Sequence, residues 1–134
     1  MVLKKSYSAG TGKYQIIMLA TITEDGVVAQ IYGGEKAHVG AIALSIPGPG
    51  AAAPEKVSCS TTVVPLLGHK DDEVARPVAE ELAKTWGSPV VVVAGIHVDN
   101  ANKEDIRKLL HNCKEVTREL IQELNGLKQR ERIF

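Results

Sequence analysis

Three short segments carry side chains that can bind ligands or transfer protons. Two of them share the spacing His-x-Asp: His69 and Asp71 in "LGHKDDEVA", and His97 and Asp99 in "AGIHVDN". The third, "GGEKAHVG", places His38 shortly after two adjacent glycines. Histidine titrates near neutral pH and is also a common metal ligand. The three segments are therefore candidates for a binding or catalytic site.

Three kinds of chemistry fit these residues. A phosphate group would be bound by Lys70, by glycine amides and by helix N-termini, although Asp71, Asp72 and Glu73 would repel an anion there. General acid–base catalysis is open to the histidines. A transition-metal ion such as zinc, iron or manganese would suit a mixed set of imidazole and carboxylate ligands. The residues of this metal alternative are His38, His69, His97 and Asp99.

Each residue also has an ordinary structural interpretation. Asp71 or Asp72 would serve as the N-cap of one helix, and Asn102 as the N-cap of another. A single histidine at a strand end is commonly bonded to the backbone, and the glycines would serve turns. The repetition of His-x-Asp beside a third histidine favours a functional site.

Hydrophobic patterns predict an α/β (α+β-like) fold in the order β-β-β-β-α-β-α, with one mixed five-stranded sheet and helices packed on it. Asp25-Gly26 marks a hairpin turn, Gly33-Gly34 breaks the second strand, and residues 47–56 read as a loop. The predicted strands are 14–22, 27–32, 38–46, 57–67 and 90–96. The predicted helices are 71–86 and a second one that begins after Asn102.

Helical spacing also predicts features inside these helices. Pro77 lies within the first helix and should kink its early turns. Asn102 and Asp105 form a capping-box pattern at the start of the second helix. Its apolar stripe ends at Leu124. The chain reads as a single domain, 1–134, with flexible ends at 1–13 and 126–134.

The order of elements predicts where the three segments meet. The helix between the fourth and fifth strands makes a βαβ unit, so these two strands should run parallel and share their carboxyl-terminal edge. If the third strand is antiparallel to the fourth, its beginning lies at the same edge. Ligands bind open α/β sheets outside the carboxyl ends of strands. The three histidine segments should therefore lie close together there.

Composition excludes several classes of function. The 134 residues balance 16 Lys and Arg against 16 Asp and Glu, and only 4% are aromatic, which argues against nucleic-acid binding. No apolar run reaches the length of a membrane span, and no secretory signal is visible at the N-terminus. Cys59 and Cys113 are far apart in the sequence, so a reduced, cytoplasmic setting is expected.

The segments "GGEKAHVGAIAL", "LGHKDDEVA" and "AGIHVDN", in this order and spacing, resemble the family of small accessory proteins of gallate-type decarboxylases. The resemblance extends from Tyr14 to Leu124. It implies a prenylated-flavin chaperone that holds a prenylated or reduced flavin mononucleotide (FMN) for a UbiD-type decarboxylase, and a ligand carrier more than an enzyme. Pro77 departs from the family pattern. The cofactor-binding residues implied by position are Gly33, Gly34, His38, Gly68, His69, Lys70, Asp71, Asp72, Gly95, His97 and Asp99.

The third and fifth predicted strands are apolar on both sides. Ile42, Leu44 and Ile46 alternate with Ala41 and Ala43, and residues 90–93 are four consecutive valines. If both helices cover one face of the sheet, the other face is an apolar patch of the kind that monomers rarely expose. We therefore expect a homo-oligomer, most simply a two-fold dimer.

Overall fold

In the part of the chain that the structure describes, six strands and two helices follow the hydrophobic patterns. The structure is a computed structural model that describes residues 1–50, 55–66 and 71–133, with side chains described as far as residue 130. The strands are β1 (Leu3–Ala9), β2 (Ile16–Thr23), β3 (Gly26–Gly34), β4 (Ala41–Pro49), β5 (Val57–Pro65) and β6 (Val90–His97). The helices are α1 (Asp72–Trp86) and α2 (Lys103–Ile133), and a short 3-10 helix spans Gly12–Tyr14.

All six strands belong to one mixed sheet in the order β1-β2-β3-β6-β4-β5. Strand β6 lies between β3, to which it is parallel, and β4, to which it is antiparallel. Strand β5 is also antiparallel to β4, so β5 and β6 run in the same direction, as the βαβ pattern predicted. The ends of β3, β5 and β6 and the start of β4 therefore share one edge. We call the described residues at this edge, 33–40, 71–72 and 95–100, the rim.

Both helices pack on one face of the sheet. Helix α1 lies against β4, β5 and β6, and α2 lies against β1 and β2. The indole N–H of Trp86 donates a 2.8 Å hydrogen bond to the carbonyl of Thr23, which fixes the end of α1 beside the β2–β3 turn. Alternate strand residues point into this layer and form the core. Its fully buried members include Ile16, Met18, Ile22, Ile31, Leu82, Val90, Val92, Val116, Leu120 and Leu124.

No described element covers the opposite face of the sheet, as the two-layer prediction required. The strand positions that point to this side carry one formally charged residue, Lys4, on the edge strand β1. The other outward positions hold apolar, hydroxyl and amide side chains, and His97 at the end of β6. The large exposed apolar residues on this face are Ile17, Leu19, Val28, Ile42, Leu44, Ile46 and Val64.

The predicted number of five strands was wrong, because residues 3–9 form an additional strand, β1. Its inward positions are Leu3, Lys5, Tyr7 and Ala9. Lys5 interrupts the alternation of apolar and polar residues that would identify a strand. Lys5 is accepted on this side because its ammonium group forms a 2.9 Å ion pair with Glu123 of α2. The predicted start of β2 at residue 14 also lies two residues too early, since Tyr14 ends the 3-10 helix.

Two predicted strand breaks do not occur. Strand β3 continues through Gly33 and Gly34, which pair with Ile96 and His97 of β6. Strand β4 continues through Pro47 to Pro49, although residues 47–56 had been predicted as a loop. Beyond Ser45, strand β4 pairs only with β5. Proline has no backbone N–H to donate, and on this side of β4 there is no second strand that would need such a donor.

Helix α1 has nearly its predicted bounds, whereas α2 runs further than its pattern predicted. Helix α1 is continuous through Pro77, and it ends at Gly87, which adopts the left-handed conformation with φ 76°. Helix α2 continues to Ile133, beyond the apolar stripe. The ammonium group of Lys128 bonds to the carbonyl of Thr85 and lies 5.9 Å from the ring centre of Trp86. Within the described residues, neither helix is long and apolar enough to cross a membrane.

Candidate functional site

Asp71 connects three parts of the rim. One carboxylate oxygen accepts the backbone N–H of Ile96 at 2.9 Å, and the other lies 3.1 Å from Nε2 of His38. The side chain is buried, with 6% exposed. Asp71 occupies the N-cap position of α1 but makes no capping hydrogen bond with its side chain. The capping alternative for Asp71 is therefore wrong, and its carboxylate holds His38 against the end of β6.

His97 and Asp99 form the second pair on the rim. Nε2 of His97 lies 2.8 Å from Oδ1 of Asp99, and both side chains are largely exposed. The carboxylate of Glu35 accepts the backbone N–H of Asp99 at 2.9 Å, and the N–H of Glu35 donates to the carbonyl of His97 at 2.7 Å. These bonds tie the loop after β3 to the loop after β6.

His38 and His97 are brought together as predicted. Their ring centres lie 6.3 Å apart and the ring planes are at 80°. A cavity of about 270 Å³, which we call the rim cavity, is lined by Lys36, His38, Val39 and His97. The rim cavity therefore combines two imidazoles, an ammonium group and an apolar side chain that is 47% exposed.

The predicted site glycines that the structure describes allow close contacts within the protein. A Cβ on Gly95 would overlap the backbone carbonyl of His38, and a Cβ on Gly34 would overlap that of His97. Gly33 is equally confined by Gln15 and Ile16. The space beside these glycines is filled by the chain's own backbone. Their absent side chains allow the loop that carries His38 to lie directly on β6.

The remaining predicted site residues divide into two groups. Asp72 is half-buried and is the first residue of α1. Gly68, His69 and Lys70 lie outside the described residues.

Within the part of the chain that the structure describes, no group of three or more histidine, cysteine or acidic side chains is arranged to hold a metal ion. The described geometry therefore gives no support to the metal alternative.

Sequence reasoning missed three residues that build the site. Lys36 lines the cavity, Glu35 joins two loops, and a Cβ on Gly40 would overlap the carboxylate of Asp71. All three lie in the segment "GGEKAHVG", so their position between Gly34 and the start of β4 was the sequence signal that could have identified them.

The capping box at Asn102 and Asp105 is confirmed by reciprocal hydrogen bonds of 3.1 and 2.8 Å.

A larger cavity lies away from the histidine pairs. It measures about 450 Å³ and forms a groove between α1 and α2, with Val78, Leu110 and Ile121 among its apolar walls. Cys113 lies at this groove, and burial together with the charge of Asp71 raises the pKa of its thiol to about 12. A thiol with such a pKa remains protonated and a poor nucleophile at neutral pH.

A similar fold is found in a solved structure. The fold of this protein is similar to that of a chain in the crystal structure of a novel chaperone complex for yeast 20S proteasome assembly, with a TM-score of 0.60. The alignment covers 93% of this chain and 98% of the other at 16% identity, so the likeness concerns the fold alone. No curated protein matches the sequence significantly.

The family of the chain is established by its sequence. Residues 10–125 match the prenylated flavin chaperone LpdD-like domain, which is most of the chain. The protein therefore belongs to the LpdD-like family of prenylated flavin chaperones. This confirms the resemblance drawn from the three histidine segments.

Proposed function

We propose that this protein is an accessory chaperone that holds a reduced or prenylated FMN at the rim cavity and transfers it to a UbiD-type decarboxylase. The observation that carries the proposal is the pairing of His38 with Asp71 and of His97 with Asp99 around one cavity, in a chain of the prenylated flavin chaperone family. Such a cofactor supplies the chemistry of decarboxylation to the partner enzyme.

The residues of the rim cavity suit a flavin by their chemistry. The two imidazoles offer flat surfaces and ring nitrogens for hydrogen bonds with a heterocycle. The exposed side chain of Val39 offers apolar contact, and the ammonium group of Lys36 offers a positive charge. Asp71 and Asp99 contact Nε2 of the two histidines, and the buried carboxylate of Asp71 holds the His38 ring in position before a ligand arrives.

The uncovered sheet face supports a second element of the proposal, a homodimer. An interface core is typically depleted of charged residues. The outward strand positions here carry one formally charged residue, Lys4, which lies on an edge strand. Leu44 and Ile42 lie on β4, in the middle of the apolar row. A second copy of the chain presents the same apolar surface, so a two-fold pairing would bury both faces at once.

Binding of the flavin is tested by anaerobic calorimetric titration with reduced prenylated FMN and with reduced FMN. Substitution of His97 by alanine removes an exposed ring and should leave the fold unchanged. Since a hydrogen bond to a charged or polar group contributes about 1–2 kcal/mol, we expect His97→Ala to weaken binding roughly tenfold. Lys36→Met should weaken binding to a similar extent, because it removes the cation and keeps an unbranched apolar side chain.

The matched control is Lys84→Met, which makes the same change in the last turn of α1, at the edge of the sheet opposite the rim. Its affinity should equal that of the wild type. Unchanged affinity in both His97→Ala and Lys36→Met would remove the rim cavity from the flavin site. Absence of any flavin binding by the wild-type protein would contradict the proposed function itself.

A further inference from the structure

A second cavity beside the rim is lined by basic and neutral polar side chains. It measures about 230 Å³ and lies between the loop that follows β1 and the first turns of α2. Arg107, Lys108 and His111 line it from the helix, and Thr11 and Tyr14 line it from the loop. No acidic side chain is among the described residues that line it. We call this cavity the basic pocket.

The loop of the basic pocket is fixed to α2 by specific contacts. The side-chain amide of Asn112 donates a 2.8 Å hydrogen bond to the carbonyl of Tyr14. Gly10 has a φ of 81°, and a Cβ at this position would overlap the amide of Asn112. The hydroxyl of Tyr14 donates to Asp105 at 2.6 Å. The loop is thus held at two points, and the position of the pocket wall does not depend on a ligand.

The nearby carboxylates are engaged by other partners. Asp105 is buried, and its oxygens accept the hydroxyl of Tyr14 and the backbone N–H of Asn102. Glu104 accepts two hydrogen bonds from Arg107, at 2.9 and 2.5 Å. The ammonium group of Lys108 lies 4.7 Å from the ring centre of Tyr14, and no ion pair joins it to a described carboxylate. The charge of Lys108 acts on the Glu104 carboxylate without a direct ion pair, so its ammonium group can still bind a ligand.

The basic pocket and the rim cavity lie at the same edge of the sheet. The carbonyl of Gln15, directly after the 3-10 helix, accepts the N–H of Gly34 at 3.2 Å. Gly34 is followed by Glu35 and by Lys36, which lines the rim cavity. Lys13 is close enough to Glu35 for the two charges to interact. A short stretch of backbone thus joins the two cavities.

We propose that the basic pocket is an anion site that takes a phosphomonoester group. Lys108 supplies the main positive charge, His111 and the guanidinium of Arg107 add donors on the same helix, and Thr11 lines the pocket from the loop. This inference rests on the proposed function in one respect. The phosphate group that binds in the basic pocket is that of FMN, and the ring system of the same molecule occupies the rim cavity. We expect an electropositive site of this kind to bind free phosphate as well.

The experiment compares Lys108→Met with Lys114→Met in the full-length chain. Met keeps most of the apolar length of lysine, so Lys108→Met removes the charge and retains contact with the Tyr14 ring. Lys114 is an exposed lysine of the same helix that lines the groove between α1 and α2. Each protein is titrated anaerobically with reduced prenylated FMN and with the same compound lacking its phosphate. Inorganic phosphate is titrated separately and followed by amide NMR shifts.

We expect the wild type and Lys114→Met to bind the phosphorylated flavin at least roughly tenfold more tightly than the dephosphorylated one. Lys108→Met should lose this preference. Inorganic phosphate should shift the amide signals of residues 10–14 and 107–112 in the wild type, and these shifts should be reduced in Lys108→Met.

The outcomes separate this inference from the proposed function. Flavin binding that is indifferent to the phosphate and unchanged in Lys108→Met, with no amide shifts from phosphate, would overturn the anion site and leave the rim cavity intact. Amide shifts from inorganic phosphate that require Lys108, in a protein that binds no flavin, would support the anion site and contradict the flavin chaperone role.

Discussion

Gly95→Ala should detach the loop that carries His38 from the sheet. A Cβ at this position would lie 1.4 Å from the carbonyl oxygen of His38, so the loop must move by about 2 Å to reach an ordinary van der Waals distance. That movement breaks the 2.9 Å hydrogen bond from the N–H of Gly40 to the carbonyl of Ala94. It also separates His38 from Asp71.

The magnitude follows from the contacts that are lost. A neutral hydrogen bond contributes about 1 kcal/mol to stability, and one to a charged group contributes about 1.5–3 kcal/mol. We therefore expect the free energy of unfolding to fall by about 3 kcal/mol. For a chain of this length each kcal/mol corresponds to about 3–5 °C, so the melting temperature should fall by about 10 °C. Binding of reduced prenylated FMN should weaken as well, because His38 no longer has a fixed position.

The matched control is Gly48→Ala in β4, where a Cβ would meet nothing within 4 Å. Differential scanning calorimetry of both variants gives the comparison, and the lone Trp86 reports unfolding independently by fluorescence. A Gly95→Ala protein that melts within about 2 °C of Gly48→Ala would refute the reasoning, because the loop could then move without losing stabilising contacts.

Three further predictions concern the interface, the buried thiol and acid stability. Leu44→Glu places a charge in the middle of the uncovered face and should convert a dimer to a monomer in light scattering; a monomeric wild type would remove the proposed interface. Because the pKa of Cys113 is raised to about 12, iodoacetamide at pH 8 should modify this thiol only after unfolding, and peptide mass spectrometry showing rapid modification of the folded protein would contradict its burial. The hydrogen bond from Tyr14 lowers the pKa of Asp105 in the folded protein. The stability that this hydrogen bond contributes is therefore fully present above the pKa of the unfolded carboxyl group. It is lost as the pH falls through the lower pKa of the folded state. The stability difference between wild type and Tyr14→Phe should therefore shrink below about pH 4, and a difference that does not change with pH would exclude this linkage.

Local signals in the sequence were sufficient for most elements. The Asp25-Gly26 turn predicted the β2–β3 hairpin, in which Thr23 pairs with Gly26. The helical spacing of Val74, Val78 and Leu82 predicted α1, and all three are buried. These features depend on interactions between residues that are close in sequence, so periodicity and turn chemistry are enough to find them.

Features that depend on a distant partner were missed. Strand β1 was overlooked because Lys5 interrupts its alternation, and only Glu123, far along the chain, makes that lysine acceptable on the inner side. Helix α2 likewise extends beyond its apolar stripe, where Lys128 contacts Thr85 and Trp86 of α1. No local pattern reports such pairings.

The sequence by itself determined which residue types could form the site and that His38, Asp71 and His97 would share one edge, because strand direction follows from the order of elements. Only the tertiary structure decided how these residues are used. Asp71 could cap a helix or bind across the rim, and its carboxylate bonds Ile96 and His38 because β6 inserts between β3 and β4. That strand order brings the loops within bonding distance, and the absent side chain of Gly95 lets them meet.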